Sequence, residues 1–320
     1  MHETNSVPPI HQESCQVEAI IVRIGLIDVD SKIPNLALMK LSALHKGNGD
    51  KVEFFNALQR YDRVYASKIF DFTDDFKYWP DCEIVKGGSG YSLETKLSEE
   101  IEHAYPDYEL YGCDYAMGFI TRGCIRNCPF CIVPKKEGLI HQVAEIEEFW
   151  NGQGRVMLLD NNLTAAPNVF DKTVPKLIDL RIRVDFNQGL DARLIDESKA
   201  RLLSRVRLWK QIHLAWDNVK DEREVLRGLE ILLKYNSPKR LMIYVLIGFD
   251  STPEEDNYRV EKLRKMRLDS FAMPFNRRDP YQRDFSRWVN HKAIFKSVPW
   301  NEYIANTKKK KRDPKQGVIT

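Results

Sequence analysis

Hydrophobic residues along the chain come in short runs that alternate with segments of helical periodicity. In the first third, runs rich in Ile and Val predict β-strands at residues 19–28, 52–55, 63–66 and 83–85. Between the first two strands, a helix is predicted to begin at Pro34 and Asn35 and to end at the Gly47–Gly49 segment. Strands that alternate with helical connections predict a small parallel sheet with helices on its faces, over residues 18–108.

The second region repeats one strand–helix unit six times. Strands are predicted at residues 116–121, 156–159, 183–186, 211–216, 241–248 and 270–274. Amphipathic helical segments between them include residues 143–150, 198–204, 222–235 and 252–266. The fold class is therefore α/β: a small N-terminal parallel-sheet (Rossmann-like) domain at 18–108, followed by a partial (β/α)6 barrel of the TIM type at 109–280.

Polar residues follow the predicted barrel strands at the point where each strand ends. They are Arg122 and Cys124, Asp160 to Asn162, Asn187 and Gln188, Asp217 and Asn218, Gly248, and Asn276. Barrels of this kind carry their chemistry at the carboxyl ends of the strands, so we expect the site there.

Composition and charge narrow the class of protein. The 320 residues are 43% hydrophobic and 30% charged, which is typical of a globular protein. No apolar run is long enough for a membrane span and residues 1–17 lack a signal-peptide pattern, so we expect a cytoplasmic protein with no membrane partner. Residues 1–17 are polar and predicted to be a disordered tail. Three of the six cysteines fall within eight positions, which indicates metal chemistry in a reducing compartment.

The net charge of +3 is distributed unevenly. From Arg259 to Thr320 the balance is +11, whereas the preceding residues carry −8. We therefore expect residues 281–320 to form a basic C-terminal extension that is suited to an anionic partner such as nucleic acid. A solvated tail is the alternative interpretation of the basic run at 308–312.

The cysteine cluster is a CxxxCxxC loop formed by Cys124, Cys128 and Cys131. Three thiolates on one loop can hold three irons of a [4Fe–4S] cluster and leave the fourth iron open to a ligand. A zinc site or inert cysteines are the alternatives. Zinc usually takes four ligands from paired motifs, and no second pair exists among the scattered Cys15, Cys82 and Cys113.

This loop, its place after the first barrel strand, and Phe130 before the third cysteine resemble the radical S-adenosylmethionine superfamily. The resemblance implies that Cys124, Cys128 and Cys131 ligate the cluster, and that S-adenosyl-L-methionine chelates the open iron. It further implies that the reduced cluster cleaves the sulfonium and that the resulting 5′-deoxyadenosyl radical abstracts hydrogen from a substrate. A reductant such as flavodoxin or ferredoxin would supply the electron.

Weaker motifs of the superfamily give further candidates for cofactor binding. Asp160, Asn161 and Asn162 stand where the family's Gly-Gly-Glu stretch meets the amino group of the cosubstrate, although the two glycines are absent. Gly248 ends a segment that resembles the strand packed on adenine. Arg193 is a candidate clamp for the cosubstrate carboxylate, and an ion pair with Asp191 or Asp196 is its alternative role. Phe130 completes this set, and no residue is assigned a catalytic role.

One subgroup of the superfamily carries a cobalamin-binding domain before its barrel, with a DxHxxG, SxL, GG pattern. Here Asp30 stands in place of the axial His, and only Ser67 and Gly87-Gly88 match the rest. We therefore expect a degenerate domain that does not bind cobalamin. The glycine run at 87–90 is either a tight turn or a phosphate site made by free N–H groups at a helix start. A second cluster on Cys15, Cys82 and Cys113 is a further alternative.

Three hypotheses about function follow. The first is a radical S-adenosylmethionine enzyme that modifies a nucleic acid or nucleotide, by methyl or methylthio transfer for example. The basic end with Arg277 and Arg278 would contact phosphates, and Trp288 and Trp300 would either stack bases or pack in a core. The second keeps this chemistry but places a peptide or small metabolite as substrate. The third is a non-enzymatic iron–sulfur protein.

Overall fold

The structure is a computed structural model that describes the backbone of residues 21–312 and the side chains of residues 21–307. The predicted tail at 1–17, Cys15 and the side chains of the basic run at 308–312 therefore lie outside the described residues. None of the helices in the described part of the chain is long and apolar enough to cross a membrane.

The N-terminal unit is the predicted parallel sheet. Its elements are β1 (Arg23–Asp28), α1 (Leu36–Gly47), β2 (Lys51–Phe54), β3 (Arg63–Ser67) and β4 (Glu83–Gly87). The strands lie in the order β2-β1-β3-β4, and all pairs are parallel. Helix α1 begins where the Asn35 side chain accepts a hydrogen bond from the Leu38 amide, as the sequence predicts.

Helices do not cover both faces of this sheet. Helix α1 packs on one face, where Ile24, Leu26, Leu38 and Leu41 form a buried cluster. The other face carries Ile27, Tyr61, Val64 and Ala66, against which Phe55, Phe76 and Trp79 pack from connecting loops. The expectation of helices on both faces is thus wrong, because aromatic side chains of the loops bury the second face instead.

A connecting segment leads into the barrel and frames the cysteine loop. It contains α2 (Glu99–Glu102), β5 (Ala116–Gly118), β6 (Thr121–Arg122), α3 (Val133–Lys136) and β7 (His141–Gln142). Strands β6 and β7 pair antiparallel, so the cysteine loop connects two neighbouring strands, as the loop of a β-hairpin does. The helix predicted at 143–150 is wrong: Val143 and Ala144 bond to the Ile120 carbonyl as an extension of this pairing, and only the single turn Ile146–Glu148 follows.

Six parallel strands form the barrel wall. After the connecting segment, the chain continues with β8 (Arg155–Leu158), α4 (Pro167–Asp179), β9 (Arg183–Phe186), α5 (Glu197–Arg205), β10 (Arg207–Leu208), β11 (Ile212–Ala215), α6 (Glu222–Tyr235), β12 (Leu241–Ile247), α7 (Pro253–Lys265), β13 (Asp269–Pro274), α8 (Pro280–Asn290), α9 (Lys292–Ser297) and α10 (Trp300–Arg312). Two sheets, β10-β9-β8-β5 and β11-β12-β13, are joined by a parallel bridge between Leu190 and Leu214. The wall therefore runs β5-β8-β9-β11-β12-β13, which confirms the predicted partial barrel.

The first helices after the sixth strand pack on the barrel. Helix α8 lies against β13, and the side chains of Phe285 and Trp288 are fully buried. The indole N–H of Trp288 donates to the Val298 carbonyl, and the Trp300 ring contacts both Phe285 and Trp288. Trp288 therefore serves packing, the alternative to base stacking in the sequence-based expectation.

Candidate active site at the carboxyl edge of the barrel

The cysteine loop starts and ends at two glycines that approach each other closely. Gly123 has a φ of +82°, and a Cβ at this position would lie 2.4 Å from the Leu139 carbonyl oxygen. The Cys124 amide donates to the Gly138 carbonyl over 3.2 Å. Only glycine fits this conformation and this contact, so Gly123 allows the loop to leave β6 and return to β7.

The three thiols of the loop share one half-buried environment. The Cys131 amide donates to the Cys128 carbonyl over 3.0 Å, which folds the second half of the motif into a turn. Burial, and then the neighbouring Cys131 thiol, raise the pKa of Cys128. Burial and the Cys124 thiol do the same for Cys131.

The donor set fits a cluster better than a single ion. Within the described residues, no three His, Cys, Asp or Glu side chains are arranged to hold one metal ion. Three thiolates of a cluster loop each bind a different iron, so they do not converge on one point. In the part of the chain that the structure describes, no fourth ligand of the kind that a structural zinc site takes joins the three thiols.

Three consecutive polar residues, Asp160 to Asn162, follow β8 after Leu159 and reach back to the strand and loop that carry the cysteines. The Asp160 carboxylate accepts from the amide and hydroxyl of Thr121, over 2.6 and 2.7 Å, and burial raises its pKa to about 6. Asn161 Oδ1 accepts from the Gly123 amide over 3.0 Å. Asn162 Nδ2 lies 3.5 Å from Cys124 Sγ. These side chains therefore hold the cysteine loop against the second barrel strand.

Arg193 lies in an ion-pair group beside this loop. Its guanidinium donates to Asp191 through Nε and Nη2 and to Asp221 through Nη1, so the ion pair with Asp191 is present. Arg126, inside the cysteine motif, donates to the same Asp191 through Nε over 3.0 Å. Burial alone would raise the pKa of Asp191, but the two guanidinium groups lower it below its usual value. Asp196 instead pairs with Lys199.

A second carboxylate stands near the loop without an arginine partner of its own. Asp217 follows β11, and its Oδ1 accepts from the Leu246 amide over 3.2 Å. Burial raises the pKa of Asp217, while Arg259 and Arg193 counteract the increase. The Asp217 charge also contributes to raising the pKa of Cys128 and of Cys131.

Phe130 begins a row of aromatic rings at the edge of the barrel. Its ring meets Phe249 edge to face, with 5.4 Å between centroids, and Phe249 meets Phe275 over 4.8 Å. Phe249 and Phe275 are the first residues beyond Gly248 and Pro274 and were missed by sequence reasoning. Their position directly after two barrel strands was the available signal.

Gly248 adopts a conformation that a larger residue would strain. Its φ is +73°, and a Cβ there would lie 2.1 Å from Gln282 Nε2. The Gly248 amide donates to Asp256 Oδ2 over 3.2 Å. The glycine therefore allows α8 to pack against the end of β12, and a contact with adenine at this position stays a prediction.

The carboxyl edge of the N-terminal sheet is tied together by its own loops. Asp30 accepts from the amides of Ile69 and Phe70, over 2.7 and 2.9 Å. The Gly90 amide donates to the Lys68 carbonyl, and no helix begins at the glycine run. Gly88 has a φ of +92° and no room for a Cβ. The run is thus a tight turn, and this edge offers neither an axial imidazole nor the phosphate site that a helix start would give.

The remaining candidates lie apart from the cysteine loop. The Cys82 and Cys113 thiols donate to the carbonyls of Glu83 and Tyr115, and neither joins a metal-binding group in the described residues. Arg277 and Arg278 are exposed just beyond β13, where the Arg277 guanidinium lies 5.9 Å from the centre of the Phe72 ring of the N-terminal unit. This is a basic and aromatic rim beside the site.

The chain is similar in sequence and in fold to known proteins. No family model matches the chain. It is similar to the tRNA-2-methylthio-N(6)-dimethylallyladenosine synthase of Aquifex aeolicus (strain VF5), with 25% identity over 187 residues, which is 50% of this chain and 42% of the relative. The chain thus spans less than half the length of this curated relative.

A solved structure shares the overall architecture. It is the radical S-adenosylmethionine methyltransferase TsrM from Kitasatospora setae with cobalamin and a [4Fe–4S] cluster bound. The TM-score is 0.58 at 12% identity, over 80% of this chain and 75% of that one. At this identity the likeness shows the fold alone. Together, the two comparisons confirm the predicted resemblance to the radical S-adenosylmethionine superfamily.

Proposed function

We propose that the chain is a radical S-adenosylmethionine enzyme whose [4Fe–4S] cluster is ligated by Cys124, Cys128 and Cys131. The observation that carries this is the closed loop between β6 and β7, which holds three half-buried thiols at the carboxyl edge of a six-stranded partial barrel. When bound, the reduced cluster supplies the electron that cleaves S-adenosyl-L-methionine and so generates the 5′-deoxyadenosyl radical.

The residues around the loop suit a zwitterionic, adenine-containing cosubstrate. Arg126 uses Nε for Asp191, and within the described residues its two terminal nitrogens donate to no other group, so they are available to a carboxylate. Arg193 holds Asp191 in place and thereby orients Arg126. Phe130 and Phe249 offer ring surfaces beside Gly248 on which a base can pack.

The substrate that we propose is a nucleic acid or nucleotide. The support is the exposed pair Arg277 and Arg278 at the barrel rim together with the excess positive charge of the C-terminal segment. The curated relative is named for a tRNA modification, which makes RNA the first substrate to test. Methyl or methylthio transfer would follow hydrogen abstraction. No observation on the structure favours a peptide or small metabolite.

We propose that no cobalamin takes part. Asp30 occupies the position of the axial His and bonds to backbone amides of the neighbouring loop, and Ser67 accepts from Asn35. A cavity of about 320 Å³ at this edge is lined by the carboxylates of Asp28, Asp74 and Asp75 and by one amine, that of Lys77, and this excess of negative charge disfavours a phosphate-bearing ligand. A small flavodoxin or ferredoxin is the reductant that we propose.

Mass spectrometry of RNA nucleosides tests the substrate assignment. RNA and DNA from cells that carry the gene are compared with those from cells in which the gene is deleted or encodes Cys128→Ala. We expect one modified nucleoside to be present only with the intact gene. Identical nucleoside profiles in all three strains would move the assignment to a peptide or small metabolite.

A further inference from the structure

The amide group of Asn162 faces the sulfur of Cys124, and the rest of the site does not account for this contact. Asn162 is buried, and its Nδ2 lies 3.5 Å from Cys124 Sγ. We infer that Asn162 is a positioning residue that donates a hydrogen bond to the cluster-bound Cys124 thiolate and raises the reduction potential of the cluster. This inference rests on the proposed function.

The neighbouring contacts decide which end of the Asn162 amide faces the sulfur. The Asp191 amide donates to Thr164 Oγ1 over 3.0 Å, and a backbone N–H can only donate. The Thr164 hydroxyl, in turn, donates to Asn162 Oδ1 over 2.8 Å. With Oδ1 held by Thr164, the NH2 group of Asn162 must point to Cys124.

This chain of bonds also connects the cysteine loop to the ion-pair group. It runs from the Asp191 backbone through Thr164 and Asn162 to Cys124, while the Asp191 side chain holds Arg126 and Arg193. Thr164 and Asn162 are both buried, so water does not compete for these bonds. This chain of bonds thus fixes the Asn162 donor on the Cys124 sulfur, which also accepts from the Arg126 backbone amide over 3.3 Å.

Asp160 and Asn161 make different contacts from Asn162. Asp160 and Asn161 accept hydrogen bonds from backbone amides of the loop and its strand, and neither has a bond to a sulfur atom. Of Asp160, Asn161 and Asn162, Asn162 alone reaches a thiol in the described residues. The first two hold the loop in place, and the third acts on the charge of a ligand.

The effect on the potential has a definite sign. Reduction adds negative charge to a cluster and its thiolates, and a hydrogen-bond donor stabilises the more negative state more strongly. Hydrogen bonds to cluster sulfurs are among the factors that set cluster potentials. Removal of the Asn162 donor should therefore shift the potential to a more negative value.

The test is an EPR-monitored redox titration of reconstituted full-length protein, after iron and sulfide analysis shows one cluster per chain. Asn162→Leu removes the donor at nearly the same volume, and we expect a more negative midpoint potential. Asn162→Asp replaces the donor by a carboxylate, and we expect a larger shift in the same direction. Thr164→Ser keeps the hydroxyl and is the matched control, with the wild-type potential expected.

A spectroscopic readout keeps the test decisive if Asn162→Leu loses its cluster. Resonance Raman bands of the iron–thiolate bonds should shift in D2O in the wild type, and Thr164→Val, which frees the amide to turn, should reduce both this shift and the potential. An unchanged potential in Asn162→Leu, or the same D2O shift in Thr164→Val as in the wild type, overturns the inference. Failure of the wild type to bind any cluster overturns the proposed function, and this inference with it.

Discussion

The side chain of Lys136 donates to the hydroxyl of Ser89 over 2.8 Å, and this bond joins the helix behind the cysteine loop to the glycine turn of the N-terminal sheet. Lys136 is half-buried, and burial lowers its pKa. Ser89 belongs to the turn that stands at the GG position of the cobalamin pattern. Through its bond with Lys136, the N-terminal unit supports the cysteine loop. This bond gives the N-terminal unit a structural contact with the segment that follows the cysteine motif.

We predict that Lys136→Met loosens the cysteine loop. The methionine keeps the packing of the alkyl chain but loses the bond to Ser89, which contributes about 1 kcal/mol. Iron release from the reconstituted protein to a chelator should become about fivefold faster, measured by the absorbance of the chelate under anaerobic conditions. Lys135→Met, at the adjacent exposed position, is the control and should release iron at the wild-type rate. Equal rates for the two variants would contradict this support role.

Gly248→Ala should destabilise the end of β12. The new Cβ would meet the Gln282 amide, and the positive φ strains any residue with a side chain. At a cost of about 2 kcal/mol, the midpoint of thermal unfolding should fall by roughly 3 °C, measured by circular dichroism. Gly154→Ala is the matched control, because no atom lies within 4 Å of a Cβ at that position and its φ is ordinary. A wild-type midpoint for Gly248→Ala would show that α8 does not pack as described.

Arg126→Met should weaken binding of S-adenosyl-L-methionine while the cluster stays bound. Loss of a charge-assisted pair with a carboxylate costs about 2 kcal/mol, which corresponds to an affinity roughly 30-fold lower. Isothermal titration of the oxidised, cluster-loaded protein under anaerobic conditions measures this. Arg201→Met, on the far helix α5 where Arg201 stacks on Tyr235, is the control. Unchanged affinity in Arg126→Met would remove Arg126 from the cosubstrate site.

If the basic rim guides a nucleic acid, affinity should fall steeply with salt. A handful of phosphate contacts gives a log–log slope of about −3 to −5, and the change of both Arg277 and Arg278 to Ala should reduce its magnitude by roughly 1.5 to 2. Truncation after Thr307 should weaken binding without loss of turnover. Filter binding with RNA and DNA oligomers measures the slope. Binding no stronger than that of a neutral control protein would favour a small substrate.

The strand–helix rhythm was readable from the sequence because parallel strands are buried on both faces and appear as continuous apolar runs. The segment at 143–150 has the same amphipathic spacing as a helix, yet it follows β7 and its amides bond to Ile120. In the sequence, Trp288 lies in a basic segment, where an aromatic side chain could be exposed. In the structure, helix α8 packs on the barrel and buries the Trp288 side chain. Such outcomes depend on tertiary contacts that local spacing does not contain.

In the candidate site, too, some features follow from local sequence spacing and others depend on tertiary contacts. The cysteine motif is contiguous, so its spacing alone predicts a cluster. The roles of Asp160 to Asn162 depend on which atoms of the first strand and its loop they meet, and the sequence-based expectation of a cosubstrate contact could not include Thr121 or Gly123. Arg126 was missed as a clamp because its link to Asp191 spans 65 positions of the chain.

Cleavage of S-adenosyl-L-methionine by anaerobically reconstituted protein tests the central claim most directly. With dithionite as reductant, liquid chromatography should show 5′-deoxyadenosine and methionine from the wild type, which should contain four irons and four sulfides per chain. Cys128→Ala should lose the brown colour and the product, because the loop then supplies only two thiolates, whereas Cys82→Ala, outside the loop, should retain both. Continued formation of 5′-deoxyadenosine by Cys128→Ala would contradict the account.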